Sequence, residues 1–437
     1  MKMLLLILLF NILSWRSLRM KRLANDCFSN ASEMISVAEA LTKIAAAAKP
    51  LAGTERTTVF EAEGRILAED IYATMSIPPT DNSAVDGYAF CFADYEKKPD
   101  KPRNITGQSK AGHPWKGPLA TDAVIKILTG AVMPEGLDTI AMTEDVSIQG
   151  NQVILPTGLK AGDNCRKKGE DIQAGQILLT KGTQLRPQEL GYLASVGLES
   201  INVFKRLKVA LFSTGDELVN PGEPRSSNGI YDSNRLILIG LLANLGCSVT
   251  DLGILKDRLP VVRAALHEAA SNHDLVLTSG GVSMGDEDHV KTALNDIGHL
   301  HFWRIAIKPG RPLALGQIGN TAFIGLPGNP IAALVCTLMF ARPLIKILSG
   351  ANTTPPLSFQ ATSDFSLKKK PGRTEWLRAR YHVSDTGIGI VEKYPTEGSG
   401  ILSSAVWANG LIEIGDDVTY INKGDLITFF PFSELMR

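Results

Sequence analysis

The period of hydrophobic and polar positions is clearest in the middle of the chain. Lys208-Val209-Ala210-Leu211-Phe212, Ser248 to Leu252 and Leu275-Val276-Leu277-Thr278 are short apolar runs bounded by turn-forming residues, which predicts buried strands. Between and after them, Asn234 to Leu245 (stopped by Gly246), Pro260 to Ser271 and Asp286 to Ile297 have the length and spacing of helices. Strands alternating with helices of this length predict a parallel sheet covered on both faces. Ligands of such sheets sit beyond the carboxyl ends of the strands.

The flanking segments follow other patterns. Ser36 to Ala48 predicts an amphipathic helix closed by Lys49-Pro50, and Val59 to Tyr72 a connecting helix or a turn into a strand. Ile77 to Phe90 carries two prolines and the turn formers Asp81-Asn82-Ser83 and Asp86-Gly87, so it predicts a polar loop. Residues 105–180 contain short runs such as Ala123 to Leu128 and Gln152 to Leu155, the mark of a small β domain. A helix is expected from Pro187 to Ser195, ending at Gly197. After the linker-like Thr353-Thr354-Pro355-Pro356, strand-like runs at Glu375 to Tyr381, Gly387 to Val391, Leu411 to Ile414 and Asp425 to Phe430 predict a small barrel or sandwich, with Lys368 to Arg373 as its basic edge.

Composition narrows the class. A length of 437 residues allows about three domains, and 44% hydrophobic with 21% charged residues describes a folded chain with sizeable cores. Forty-five basic and 45 acidic residues cancel, so no nucleic-acid partner held by bulk charge is expected. The five cysteines, Cys27, Cys91, Cys165, Cys247 and Cys336, are scattered and form no Cys-x-x-Cys pair. That pattern disfavours a disulfide framework or structural zinc and fits a reducing, cytoplasmic location. At the N-terminus, Met3 to Phe10 is apolar and Arg16, Arg19, Lys21 and Arg22 follow it. Three readings fit: a start codon set upstream of Met20 or Met34, a short membrane anchor, or a targeting peptide.

Candidate chemistry gathers at the strand ends. The first strand runs into Ser213-Thr214-Gly215-Asp216-Glu217, the second reaches Lys256-Asp257-Arg258, and the third enters Ser279-Gly280-Gly281 and Ser283, then Asp286-Glu287-Asp288. Glycine-rich strand-to-helix turns leave amides uncovered and cradle anions. Two carboxylates about 4 Å apart repel by about 4 kcal/mol at an effective dielectric of 20, so converging acids imply a cation. Arg304, Lys308, Pro309, Gly310 and Arg311 make a basic strand end, and Gly325-Leu326-Pro327-Gly328-Asn329-Pro330 opens another helix with Asn329 as N-cap and Pro330 at N1. The set suggests a site for a phosphorylated ligand plus a divalent metal. No Ser-His-Asp or Cys-His nucleophile is evident, and His299-x-His301 lacks further ligands for a metal.

Thr278 to Ser283 with Asp288, Ser213 to Glu217, Asp81 to Tyr88, Lys308-Pro309-Gly310 and Gly325 to Pro330 together resemble the molybdopterin molybdenumtransferases, the MoeA and gephyrin E-domain family, from about residue 34 to the C-terminus. The resemblance implies an enzyme that inserts molybdenum from molybdate into adenylylated molybdopterin and releases AMP, with Mg²⁺ as cofactor. By position it implies Asp86, Asp171, Glu217, Asp257, Asp288 and Lys308 as catalytic residues, with Glu217, Asp257 and Asp288 holding the metal. Thr129, Ser213, Thr214, Gly215, Ser279, Gly280, Gly281, Ser283, Arg304, Pro327, Gly328, Arg373 and Ser399 would bind substrate. Arg304 stands where the family often has Lys, which keeps the charge and changes its geometry.

The resemblance further implies an elongated homodimer whose cleft combines two subunits, and a molybdopterin adenylyltransferase as a possible partner. Alternative activities are that adenylyltransferase reaction itself or a non-catalytic scaffold. The expected fold class is α/β plus β: a three-layer α/β domain with a parallel sheet, a small inserted β domain and a C-terminal β barrel. The expected divisions are an extension at 1–30, a connecting domain at 31–75 and 172–205, the small β domain at 76–171, the α/β domain at 206–350 and the barrel at 351–437.

Overall fold

The computed structural model describes residues 34–282, 289–310 and 312–437. Ser283, Asp288, Arg311, the expected helix start at Asp286 and the N-terminal apolar run lie outside the described residues.

The apolar runs build a seven-stranded sheet. Its order is Met34–Ile35, His299–Ile305, Pro312–Ile318, Thr321–Leu326, Leu275–Ser279, Lys208–Thr214 and Ser248–Leu255. Leu275–Ser279 and Thr321–Leu326 are buried at every position, as strands covered on both faces must be. Alternate residues face opposite layers. Val209, Leu211, Leu275, Leu277 and Ile324 belong to one core, which includes Leu238, Leu242, Ile331 and Leu334 of the helices Asn234–Asn244 and Pro330–Cys336. Ala210, Phe212, Val276 and Phe323 belong to the other, with Val262, Leu266 and Leu294 of Leu259–Asn272 and His289–Ile297. A period of two therefore yields three layers.

The sheet is mixed, not parallel as expected. The four strands from Thr321–Leu326 to Ser248–Leu255 are parallel, whereas Pro312–Ile318 runs antiparallel to both of its neighbours. The hairpin pairing Ile318 with Thr321 across Gly319-Asn320 sets that direction, with Gly319 at φ 58°. The helical segment Pro330–Leu348 is long and apolar enough to cross a membrane, but 83% of its apolar window is buried inside the protein.

The C-terminal strands close. Thr374–Val383 pairs with Gly389–Lys393 on one side and Gly410–Ile414 on the other, and Phe359–Ser363 and Leu426–Pro431 complete the ring. The result is a five-stranded barrel filled by residues including Leu377, Val391, Ile412 and Phe429. Its expected basic edge is not uniformly solvated: Lys369 is 6% exposed and donates to the carbonyls of Lys370 and Val418.

The small β domain corrects another expectation. Gly87–Phe90, placed in a polar loop by its neighbours, is a fully buried strand between Val124–Ile127 and Thr139–Met142. In the connecting region, Thr54–Thr58 pairs with Ser200–Phe204, and Ile71–Tyr72 with Ile177–Leu179. Of the two expectations for Val59 to Tyr72, the turn into a strand holds: Val59–Glu61 is one 3-10 turn, and Ile71–Tyr72 is a strand.

Candidate functional site

Register brings the expected loops to one rim. Ser213 pairs with Ser279 and Thr214 with Leu255, while Ser279 also pairs with Leu326. The strands therefore deliver Thr214-Gly215, Lys256-Asp257, Ser279-Gly280-Gly281 and Pro327-Gly328 side by side. Gly280 and Gly281 have φ values of 85° and 66°. A Cβ on Gly280 would lie 2.8 Å from the Thr214 carbonyl oxygen, and one on Gly281 2.6 Å from Thr214 Cγ2. Only glycine allows this approach. The Gly280 N–H donates to the Leu326 carbonyl at 3.1 Å and ties two of the loops together.

The rim carries polar atoms without partners. Ser213 Oγ, Thr214 Oγ1 and Asp257 Oδ1 are buried, with no hydrogen-bond partner among the described residues. Each such atom costs about 1–3 kcal/mol unless a ligand or water meets it. Glu217 is exposed on the loop after Gly215. Among the described residues, no group of three His, Cys, Asp or Glu converges as a metal cluster. Asp288, the third member of the expected metal set, lies outside the described residues.

Sequence reading missed the residue that joins the loops. Asn234, 8% exposed, begins the Asn234–Asn244 helix. Its Nδ2 donates to Ser279 Oγ at 2.8 Å and to the Gly328 carbonyl at 2.7 Å. The stretch before it reads as a helix cap, and Asp232 does cap, accepting from the Arg235 N–H at 3.1 Å, whereas the Ser233 side chain makes no cap bond. Nothing in the sequence distinguishes an asparagine that caps from one that reaches across a sheet. Asn234→Ala leaves a buried carbonyl and a buried hydroxyl short of a donor. A loss of about 1–3 kcal/mol in urea denaturation is expected.

Arg235 faces the other way. Its Nη1 donates to both Asp251 oxygens, at 2.9 and 2.7 Å, its Nε donates to Asp232 Oδ2 at 3.2 Å, and its Nη2 donates to Asn220. This fork fastens the segment after Glu217 to the strand that leads to Asp257.

A second cluster forms where the α/β domain meets the barrel. Ile307–Lys308 pairs in parallel with the start of Thr374–Val383, which places Ile307 opposite Thr374 and Lys308 opposite Glu375, with Arg373 just before that strand. Lys308 Nζ donates to Glu397 Oε2 at 2.8 Å and Glu375 Oε2 at 3.1 Å. Burial pulls the Lys308 pKa down, but hydrogen bonds to Glu397 and Glu375 outweigh it and hold the ammonium above its ordinary value. The Lys308 hydrogen bond, ahead of opposing burial, holds Glu397 below the ordinary carboxylate value. Sequence reading named Lys308, Arg373 and Ser399 and missed both glutamates, 67 and 89 residues away.

The two clusters share a segment. The Ser399 carbonyl accepts from the Ile331 N–H at 3.0 Å, three residues beyond the Gly328 that Asn234 holds. Asn329 and Pro330 take the expected N-cap and N1 positions, although the Asn329 side chain makes no cap bond. Arg304, half-buried and partnered, lies on His299–Ile305 in register with Pro312 and Met34.

Asp86 and Thr129 also come together. Asp86 Oδ1 accepts from the Thr129 N–H at 2.8 Å and from Thr129 Oγ1 at 2.7 Å. The backbone bond first, then the hydroxyl bond, hold the Asp86 carboxyl below its ordinary pKa. Its contribution to stability is present above the ordinary carboxylate value and is lost as pH falls through the lowered one. Thr129→Val removes the hydroxyl donor, so the Asp86 pKa rises toward its ordinary value, as side-chain carboxyl NMR titration will report. Asp171 is exposed, with its N–H bonded to the Ile77 carbonyl. Among the described residues, no hydrogen bond or ion pair joins Asp86, Thr129 or Asp171 to the rim.

Three sequence-family models match in order along the chain. The MoeA N-terminal region (domains I and II) covers residues 35–197, the probable molybdopterin-binding domain 210–347, and the MoeA C-terminal region (domain IV) 360–432. A molybdopterin molybdenumtransferase of Haemophilus influenzae is 39% identical over 385 residues, 88% of this chain and 95% of that protein. The chain belongs to the molybdopterin molybdenumtransferase family. A second member, from a Nostoc species, is 34% identical over 85% of this chain and 87% of its own length. The crystal structure of the molybdopterin biosynthesis MoeA protein from Pyrococcus horikoshii superimposes with a TM-score of 0.78 at 28% identity, covering 92% of this chain and all of that one. The fold of the family is therefore present over the described chain, with the glycine cradle inside the segment matched by the molybdopterin-binding model.

Proposed function

We propose that the chain is a molybdopterin molybdenumtransferase that takes adenylylated molybdopterin and molybdate, inserts molybdenum at the dithiolene and releases AMP. The names of its relatives support the transferase class, the molybdopterin substrate and a place in molybdenum cofactor biosynthesis. The observation that carries the finer reading is the rim itself. A glycine cradle suited to phosphate oxygens lies beside buried Ser213, Thr214 and Asp257 atoms that need partners, and the segment from Pro327 to Ile331 links it to the loop of Ser399 and of Glu397, which meets Lys308.

The chain's own groups would divide the work. Amides of the 279–281 turn and the hydroxyls of Ser213 and Thr214 would receive the phosphates and fix their orientation. Lys308, Arg373 and Arg304 would hold molybdate oxygens through charge-assisted bonds. Hard oxygen donors suit magnesium, and the orphaned Asp257 oxygen fits that preference, so Glu217 and Asp257, with Asp288 by sequence, would hold the ion. A bound magnesium ion supplies Lewis-acid polarisation of the pyrophosphate linkage.

Asp86 and Thr129 belong to this reading through a homodimer in which one subunit's β domain completes the other's cleft. A cytoplasmic location, supported by the free thiols of Cys91, Cys165, Cys247 and Cys336, and hand-over from a molybdopterin adenylyltransferase complete it. The deciding experiment follows AMP by chromatography after mixing purified protein with adenylylated molybdopterin. AMP release that requires both molybdate and Mg²⁺ is expected, and release independent of molybdate would refute the assignment.

A further inference from the structure

Resting on the reading of Lys308 as an oxyanion ligand, a further role falls to a residue that reading does not include. An ammonium has three donors, and on Lys308 two of them already serve Glu397 and Glu375. The two carboxylates differ. Glu375 sits on a barrel strand in register with Lys308, and its side chain is 10% exposed. Glu397 sits on a loop with its side chain 34% exposed, so it is the partner that can yield.

The Glu397 contact is held in place from behind. Arg378, 2% exposed, donates from Nη2 to the carbonyls of Thr396 and Gly398, both at 3.3 Å, and from Nε to Ser404 Oγ at 2.9 Å. One buried guanidinium thus grips the carbonyls of both neighbours of Glu397, in a loop that presents its carboxylate to the ammonium. Ser399, two residues on, is anchored through its carbonyl to the Ile331 N–H. An oxyanion approaching the remaining Lys308 donor meets the negative charge of a carboxylate that the loop is built to present.

We propose that Glu397 is a specificity-setting residue of the oxyanion site, competing with the incoming oxyanion for the Lys308 ammonium and holding down the affinity for free molybdate. Its negative charge opposes a dianion more than a monoanion of the same shape, so the effect depends on ligand charge.

Equilibrium dialysis of the full chain against molybdate and against perrhenate, a tetrahedral monoanion, tests this. Glu397→Gln is expected to lower the molybdate Kd about five-fold and the perrhenate Kd less, because a like charge is removed from the site. Lys308→Ala is expected to weaken molybdate binding and to abolish the gain when combined with Glu397→Gln. A loop held together only by Glu397 would instead bind both anions equally or worse in Glu397→Gln. That result, with Lys308→Ala still weakening binding, overturns the competition and leaves the role of Lys308 standing. Unchanged molybdate binding in Lys308→Ala overturns that role itself. Glu397→Ala is read by the same outcomes if the glutamine variant does not fold.

Discussion

Asp257→Asn and Glu217→Ala are each expected to lose about 100-fold of molybdate-dependent AMP release, equivalent to about 2.7 kcal/mol of transition-state stabilisation. Asp257 follows the strand next to the one that carries Ser213 and Thr214, and its Oδ1 is buried without a partner among the described residues. An amide at that position keeps the shape and removes the charge. The Mg²⁺ concentration giving half-maximal rate should rise in both variants, since each would weaken the oxygen-donor set proposed for the ion. Neither substitution breaks a described bond of the fold, so the thermal midpoint should stay within about 3 °C of the unsubstituted protein. Full turnover in both variants would remove these carboxylates from the reaction.

Arg235→Ala is expected to cost about 2–4 kcal/mol in denaturant unfolding. Removing one partner of a buried ion pair strands the other charge, and the Asp232 side chain, 2% exposed, has little solvent to turn to. The 38% exposure of the Asp251 side chain keeps the figure below the upper range for fully buried networks. The same change releases the segment between Glu217 and Asp232 from the strand leading to Asp257. Activity should therefore fall further than the lost stability alone predicts. If the unfolding midpoint in urea does not move, the fork contributes nothing to the fold and the account of how Glu217 is placed fails.

Much of the α/β domain could be read in advance because its strands are unbroken apolar runs and its helices carry their own stop signals. Lys208–Thr214 and Leu275–Ser279 needed only their length and flanking residues. Strand direction was less accessible. The run from Pro312 to Ile318 is a strand of the sheet that the sequence analysis does not name, and the Gly319-Asn320 pair that reverses it is a hairpin signal readable in the sequence.

Gly87–Phe90 was hidden for a different reason, since Asp81, Asn82 and Ser83 make their neighbourhood polar while the strand itself enters the core. A Cβ at Gly87 would lie 2.1 Å from the Ala141 carbonyl oxygen, a packing demand visible only once the neighbouring strand is in place. The site divides in the same way. Ser213, Ser279 and Gly280 lie where strand ends put them, whereas Asn234, Glu375 and Glu397 act through side chains that meet their partners only after the sheet and barrel have formed.

The short stretch from Pro327 to Ile331 is held at one end by Asn234 and at the other by Ser399. A pterin phosphate settling into the glycine turn and an oxyanion settling beside Lys308 would therefore press on the same few peptides. By linkage, whatever factor the first changes in the affinity for the second, the second returns to the first. Were both guests to bind as proposed, filling order would become a matter of concentration, and any preference one showed for the other's presence would be returned in kind.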